Sequence, residues 1–181
     1  PEMSRGLGDV YKRQGETDSY HRQINKAVAE LKQCTSEDPG DFEAMGYYGW
    51  ALAEVDSAGP AGEAFEKSIA GLESKGDKKK AAMMSDNRTS FRNRAYNEGI
   101  KHIQDAQALY PDFAKKPADE GETAQRDLAQ KEYELALVSL TNASMYKRND
   151  PVTLRNLGSV YMFMGQTDKA CLLYTSDAAD D

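Results

Sequence analysis

The stretch PVTLRNLGSVYMFMGQTDKA, residues 151–170, constrains the fold more than any other part of the chain. Leu154, Leu157 and Tyr161 recur at i, i+3 and i+7, so on a helix they form one apolar stripe. Gly158 stands beside that stripe, where a missing side chain lets a second helix approach closely at a propensity cost of about 1 kcal/mol. Gly165 is placed to end the helix and open a turn, and Ala170 is small where a following helix would pack. The same frame fits residues 42–75. There Met45, Tyr48, Gly49 and Leu52 mark a first helix, and Ala61, Phe65, Ser68 and Ile69 a second. Asp56-Ser57-Ala58-Gly59-Pro60 makes the turn between them, with Pro60 in the first turn of the second helix. Asp38-Pro39-Gly40-Asp41 interrupts the chain before this unit, and Asp41 is positioned as an N-cap. A pair of amphipathic helices cannot bury its apolar face alone, so such pairs come stacked.

The order of these large and small residues, in a period of about 34, is similar to that of the tetratricopeptide repeat (TPR). The resemblance covers about residues 18–170 and implies an all-α solenoid of stacked antiparallel helix pairs. Residues 42–75 and 151–170 match well, and the rest departs from the pattern. Upstream, Tyr20, Ile24, Ala27, Val28 and Leu31 read as the second helix of a partial unit over 15–38, predicting a helix from about Asp18 to Cys34. Leu7, Gly8 and Tyr11 stand in frame for its first helix. In the middle, Phe91, Ala95, Gly99, Ile103 and Ala106 share one face of a helix predicted over Ser90 to Leu109. Its partner follows only at Tyr133, Ala136, Leu140 and Ala143, after an extra loop running from Tyr110 to Gly121. This is a split, irregular unit over 90–147. Lys78-Lys79-Lys80 reads as a solvated basic patch ahead of the long helix.

Both ends look foreign. PEMSRGLGDVYKRQ (1–14) and CLLYTSDAADD (171–181) resemble translated sequencing-adapter peptides, and the last unit breaks off where CLLYTS begins. On that reading the native segment is 15–170, and Cys171 is not native. A unit truncated at Ala170 would leave Leu154, Leu157 and Tyr161 without cover. The expectation is then a marginal fold, or one that self-associates through exposed repeat ends.

A net charge of -7 lacks the basic stripe that phosphate binding needs, so nucleic acid is not the expected partner. No apolar run is long enough for a membrane-spanning helix, and no charged segment followed by an apolar one opens the chain as a signal peptide would. Cys34 and Cys171 are too few for a disulfide framework. No Walker A, GxSxG or complete dinucleotide fingerprint is present. The two histidines, His21 and His102, fall on different helices without an HExxH partner or a Cys/His cluster and read as surface or groove residues. Glu132 and Glu134, two apart on a helix, do not face each other. Neither catalytic residues nor a metal or cofactor is expected.

TPR arrays line a concave groove with the first helices of their units. The resemblance places there Glu43, Gly46, Trp50, Ala53 and Glu54, then Asn93, Tyr96, Ile100, Ile103 and Gln104, then Val152, Arg155, Ser159, Met162 and Phe163. Trp50, Glu54, Asn93, Tyr96, Ile100, Arg155, Ser159 and Met162 are the ligand-groove candidates. Trp50, Tyr96 and Arg155 lead them, because Trp, Tyr and Arg supply most interface energy. Trp50 and Tyr96 fit interhelical packing equally well, and the sequence leaves both roles open. A carboxylate clamp is disfavoured: Arg155 and Asn156 fit it faintly, while Gly46 and Trp50 stand where a Lys and an Asn would be needed. The function implied is a protein–protein interaction scaffold taking a peptide or partner surface. An envelope lipoprotein-type assembly factor, and the regulatory part of a larger enzyme, are the other two readings.

Overall fold

Four of the helices begin on an aspartate side chain. Asp41 accepts the Ala44 N–H at 2.9 Å, Asp77 that of Lys80 at 3.1 Å, Asp119 that of Glu122 at 2.8 Å and Asp150 that of Thr153 at 3.1 Å. Each such cap satisfies a donor that the first turn leaves open and is worth about 1 kcal/mol. The computed structural model describes the backbone of residues 2–177 and the side chains of residues 17–171 and 173. Its helices are α1 (Glu2–Glu37), α2 (Phe42–Glu54), α3 (Ala58–Ser74), α4 (Lys78–Leu109), α5 (Glu120–Tyr146), α6 (Pro151–Phe163) and α7 (Thr167–Asp177). No strand occurs among the described residues, so the chain is all-α as expected. It divides into two compact units, Pro1–Arg88 and Thr89–Asp181, with the boundary inside α4.

In the first unit α2 packs on α1 and α3. The core is built from small residues around a few large ones: Ala51, Ala53, Ala61 and Ala64 surround Leu52, Phe65 and Met84. Gly49 lies so close to α3 that a Cβ there would stand 3.2 Å from the Ala61 carbonyl oxygen and 3.2 Å from the Phe65 nitrogen. Ser68, fully buried, donates its hydroxyl to the Phe42 carbonyl at 2.6 Å, joining the two helices again. Pro60 sits in the first turn of α3, as the sequence predicts.

The second unit is filled by rings. Tyr133 of α5 meets Phe113 edge-on, with centroids 5.4 Å apart, and Phe113 meets Tyr110 in the same manner at 6.5 Å. Ile103, Ala106, Ala136, Leu140, Leu157 and Val160 complete this core. Gly99 of α4 faces α5, where a Cβ would come within 2.7 Å of Leu140 Cγ. Gly158 is buried on α6, and Gly165, at φ +72°, makes the turn into α7.

Three local expectations are corrected. First, α1 is one helix over Glu2–Glu37, longer than the predicted 18–34, and its backbone makes no turn between residues 7–11 and residue 20, so no helix hairpin forms there. The side chains of Leu7, Gly8 and Tyr11 lie outside the described residues. Second, α4 starts at Lys78, not Ser90, because Asp77 caps it, the intervening residues include no Gly or Pro, and Ala81 and Met84 give that stretch a buried face. The three lysines therefore belong to the helix itself, and Lys80 is ion-paired with Glu43. Third, the loop between α4 and α5 is not mere insertion, since Tyr110 and Phe113 drive it into the core. In the full chain α7 continues past Ala170 to Asp177, and Leu173, from the end that reads as foreign, packs against the core. Leu157 is only 5% exposed, and Leu154 and Tyr161 are half-buried, whereas the uncovered stripe expected above concerns a unit ending at Ala170.

Candidate functional site

The six groove candidates of the second unit fall on two neighbouring helices. Asn93, Tyr96 and Ile100 are spaced i, i+3, i+7 on α4, and Arg155, Ser159 and Met162 are spaced i, i+4, i+7 on α6. Residues at these spacings share a helix face. Val152 extends the α6 stripe by one turn. On the opposite side of α6, Thr153, Leu157, Gly158 and Val160 are buried. The stripe is therefore what α6 presents outward: Val152 is 41% exposed, Met162 58%, Arg155 is exposed and Ser159 half-buried.

A polar network pins the two helices at this face. Pro151 begins α6, with Asp150 as its N-cap. The Asp150 carboxylate accepts the Thr153 N–H and, at 2.7 Å, the Thr153 hydroxyl. It is also ion-paired with Arg92 of α4, and Lys147 stands 3.4 Å from its second oxygen. Asp150 is only 7% exposed. Burial by itself would push its carboxyl up, but the two bonds from Thr153 and the Arg92 guanidinium more than offset that and hold it at about 2. The Arg92 guanidinium lies over the Tyr96 ring, 5.0 Å from its centroid. Its Nε is buried without a hydrogen-bond partner among the described residues. One turn along α6, Asn156 donates to the Tyr96 hydroxyl at 3.0 Å and to the Val152 carbonyl at 2.9 Å.

Of the two roles that the sequence left open for Tyr96, the structure shows interhelical packing. Its ring packs against the core while its hydroxyl is held at the surface by Asn156. Ile100 is likewise partly buried against the core. Asn93 is exposed and accepts a bond from Arg92 at 3.0 Å, and Ser159 donates to the Arg155 carbonyl at 3.0 Å. The other two candidates belong to the first unit. Trp50 is half-buried on α2, and the Glu54 carboxylate accepts the Tyr20 hydroxyl of α1 at 3.1 Å. Three further residues that the resemblance placed in the groove are buried instead. Gly46 packs against Ser68 and Met84, Ala53 is in the first core and Ile103 in the second.

One cluster escaped the sequence reading. His102, taken for an isolated surface or groove residue, stands beside Asp105 and Glu132, with donor atoms of all three within 4.8 Å of one another. His102 Nδ1 is 2.6 Å from a Glu132 carboxylate oxygen. The pairing of His102 with Asp105, three apart on one helix, was legible; Glu132 reaches the cluster only because α5 packs on α4.

No protein-family model matches this chain, and neither a curated protein nor a solved structure matches it.

Proposed function

We propose that the chain is a TPR-type interaction scaffold that takes an extended peptide along the paired faces of α4 and α6. The observation that carries this reading is the outward stripe Val152, Arg155, Ser159 and Met162 beside Tyr96 and Asn93. Exposed apolar side chains around a guanidinium and a tyrosine are the chemistry of interface anchors. The backbone beneath is already fixed by the Asp150 cap and by the Arg92 and Asn156 bridges, so little ordering entropy is lost on binding. The helix pairs with small residues at their contacts, Gly49 of α2 facing α3 and Gly99 of α4 facing α5, support the repeat reading of the same chain. A peptide suited to this face carries a carboxylate for Arg155 and an apolar side chain for Met162 and Val152.

Selection of a displayed random-peptide library on the immobilised full chain tests this. Selected peptides should converge on an acidic residue close to an apolar one. Tyr96→Ala and Arg155→Ala should each weaken them about tenfold, which corresponds to about 1.4 kcal/mol. Replacing Tyr96 and Arg155 together by Ala should abolish binding while far-UV circular dichroism stays helical. Unchanged affinity in the double variant would remove the site assignment, and a selection that never converges would remove the scaffold reading.

A further inference from the structure

We propose that His102, Asp105 and Glu132 form a binding site for a first-row divalent transition-metal ion, Zn²⁺ being the probe of choice, which clamps α4 to α5. His102 and Asp105 lie three apart on α4 and so rise from one face of that helix, while Glu132 comes from α5. One donor atom from each residue falls within 4.8 Å of the other two. A metal bonded at about 2.0–2.2 Å to nitrogen and oxygen holds its donors roughly 3–3.5 Å apart. The His102 Nδ1 to Glu132 contact of 2.6 Å opens slightly as the cation takes the place of the proton between them. Asp105, exposed, swings in from solvent.

The donor set selects the ion. One imidazole with two carboxylates suits Zn²⁺, Mn²⁺, Fe²⁺, Co²⁺ or Ni²⁺, whereas Mg²⁺ and Ca²⁺ take all-oxygen shells. Three protein ligands leave coordination positions open to water or to a partner's side chain. His102 and Glu132 are half-buried, which shields their charges from bulk water, and the exposed Asp105 marks the entry side. Bound there, the ion bridges two helices joined by the loop 110–119, so binding stabilises the folded second unit over the unfolded chain.

Calorimetric titration of the full chain with ZnCl₂ tests the site. The titration uses a Cys34→Ser/Cys171→Ser background, so that the two exposed thiols supply no ligand. A single micromolar site is expected, together with a rise in melting temperature on adding zinc. Glu132→Gln and His102→Ala should each weaken binding more than about tenfold and remove the zinc-dependent rise, and MgCl₂ should produce neither effect. Co²⁺ should bind with a visible absorption band that is lost in both variants. Should His102→Ala fail to fold, Glu132→Gln and Asp105→Asn, both conservative changes on partly or fully exposed side chains, carry the test. Absence of binding at millimolar zinc, or binding that none of the three substitutions alters, would overturn the proposal.

Discussion

The helix pair α2–α3 in the first unit and the pair α4–α5 in the second each place a glycine at the contact, yet they hold together differently. At Gly49 the neighbouring atoms are the Ala61 carbonyl oxygen, the Phe65 amide nitrogen and the Phe65 Cγ, so the contact is mostly with main chain. Alanines cover most of the surroundings, and the two helices are short. At Gly99 the two closest neighbours are Leu140 side-chain atoms, with the Leu140 nitrogen farther off at 3.3 Å, and Tyr110, Phe113 and Tyr133 belong to the surrounding core. The compact pair brings its helices close by removing side chains. The pair with longer helices and a longer connection fills its core by folding that connection inward with aromatic residues. A glycine at a helix contact therefore does not specify one kind of contact.

The largest effect that tests this contrast comes from the rings. Tyr133→Ala should destabilise the second unit by about 4 kcal/mol, since it empties a space that Phe113 and Phe163 both border. Phe65→Ala should cost the first unit a similar amount, because Phe65 is fully buried among small residues that have no spare volume to fill the gap. Trp50 is the chain's single tryptophan and lies in the first unit. In urea melts, Tyr133→Ala should move the circular-dichroism transition more than the Trp50 fluorescence transition, and Phe65→Ala should do the reverse. Equal shifts in both signals would mean that the two units melt as one and would end the comparison.

Helix caps separate the units next. Asp41 makes one backbone bond and is half-buried, so Asp41→Ala should cost about 1 kcal/mol. Asp150 also holds Arg92, and Asp150→Ala would leave that guanidinium buried without its counter-ion, at about 3 kcal/mol. Acid should act on the same group. Asp150 ordinarily titrates near 3.8 and is held at about 2 in the folded chain, so its contribution is fully present above pH 3.8 and is lost as pH falls from there through 2. The loss amounts to about 2 kcal/mol. Stability measured from pH 5 to 2 should fall less steeply in Asp150→Asn than in the natural chain; parallel curves would refute the assignment.

The local signals in the sequence carry far where backbone chemistry decides. Asp41 at its cap, Pro60 in the first turn of α3 and Gly165 at positive φ all stand as their residue types require. Helix extents were less legible. Lys78 to Thr89 lacks strong apolar periodicity, and what makes it helical is the Asp77 cap together with the burial of Ala81 and Met84 against another part of the unit. The polar network was hidden for a similar reason. Arg92 and Asp150 are 58 positions apart, as Tyr96 and Asn156 are 60 apart, and only tertiary packing joins them. Tyr110 and Phe113 looked like loop residues because Pro111 and Asp112 lie between them, and nothing local announces that both rings turn inward. His102 met Glu132 by the same route, across two helices and 30 positions.

The smallest effect is also the sharpest test of how the two pairs differ. Alanine in place of glycine gains about 1 kcal/mol of helix propensity, so contact strain has to exceed that before the change destabilises. At Gly99 the new Cβ would stand 2.7 Å from Leu140 Cγ and 2.9 Å from its Cδ2, and Leu140 is fully buried with no empty space to turn into. Gly99→Ala should therefore cost about 1 kcal/mol net. In a Leu140→Ala background the two closest contacts are gone and only the main-chain nitrogen at 3.3 Å remains, so the same substitution should become neutral or stabilising, a non-additivity of about 1–2 kcal/mol. Gly49→Ala meets the Ala61 carbonyl oxygen, the Phe65 amide nitrogen and the Phe65 Cγ, each at 3.2 Å, and the first two are main-chain atoms that no side-chain truncation removes. Its effect should change little in a Phe65→Ala background, which removes only the third contact. If instead both glycine substitutions are relieved equally by trimming the facing side chain, the first pair is not joined chiefly through its backbone, and the distinction between the two helix pairs does not hold.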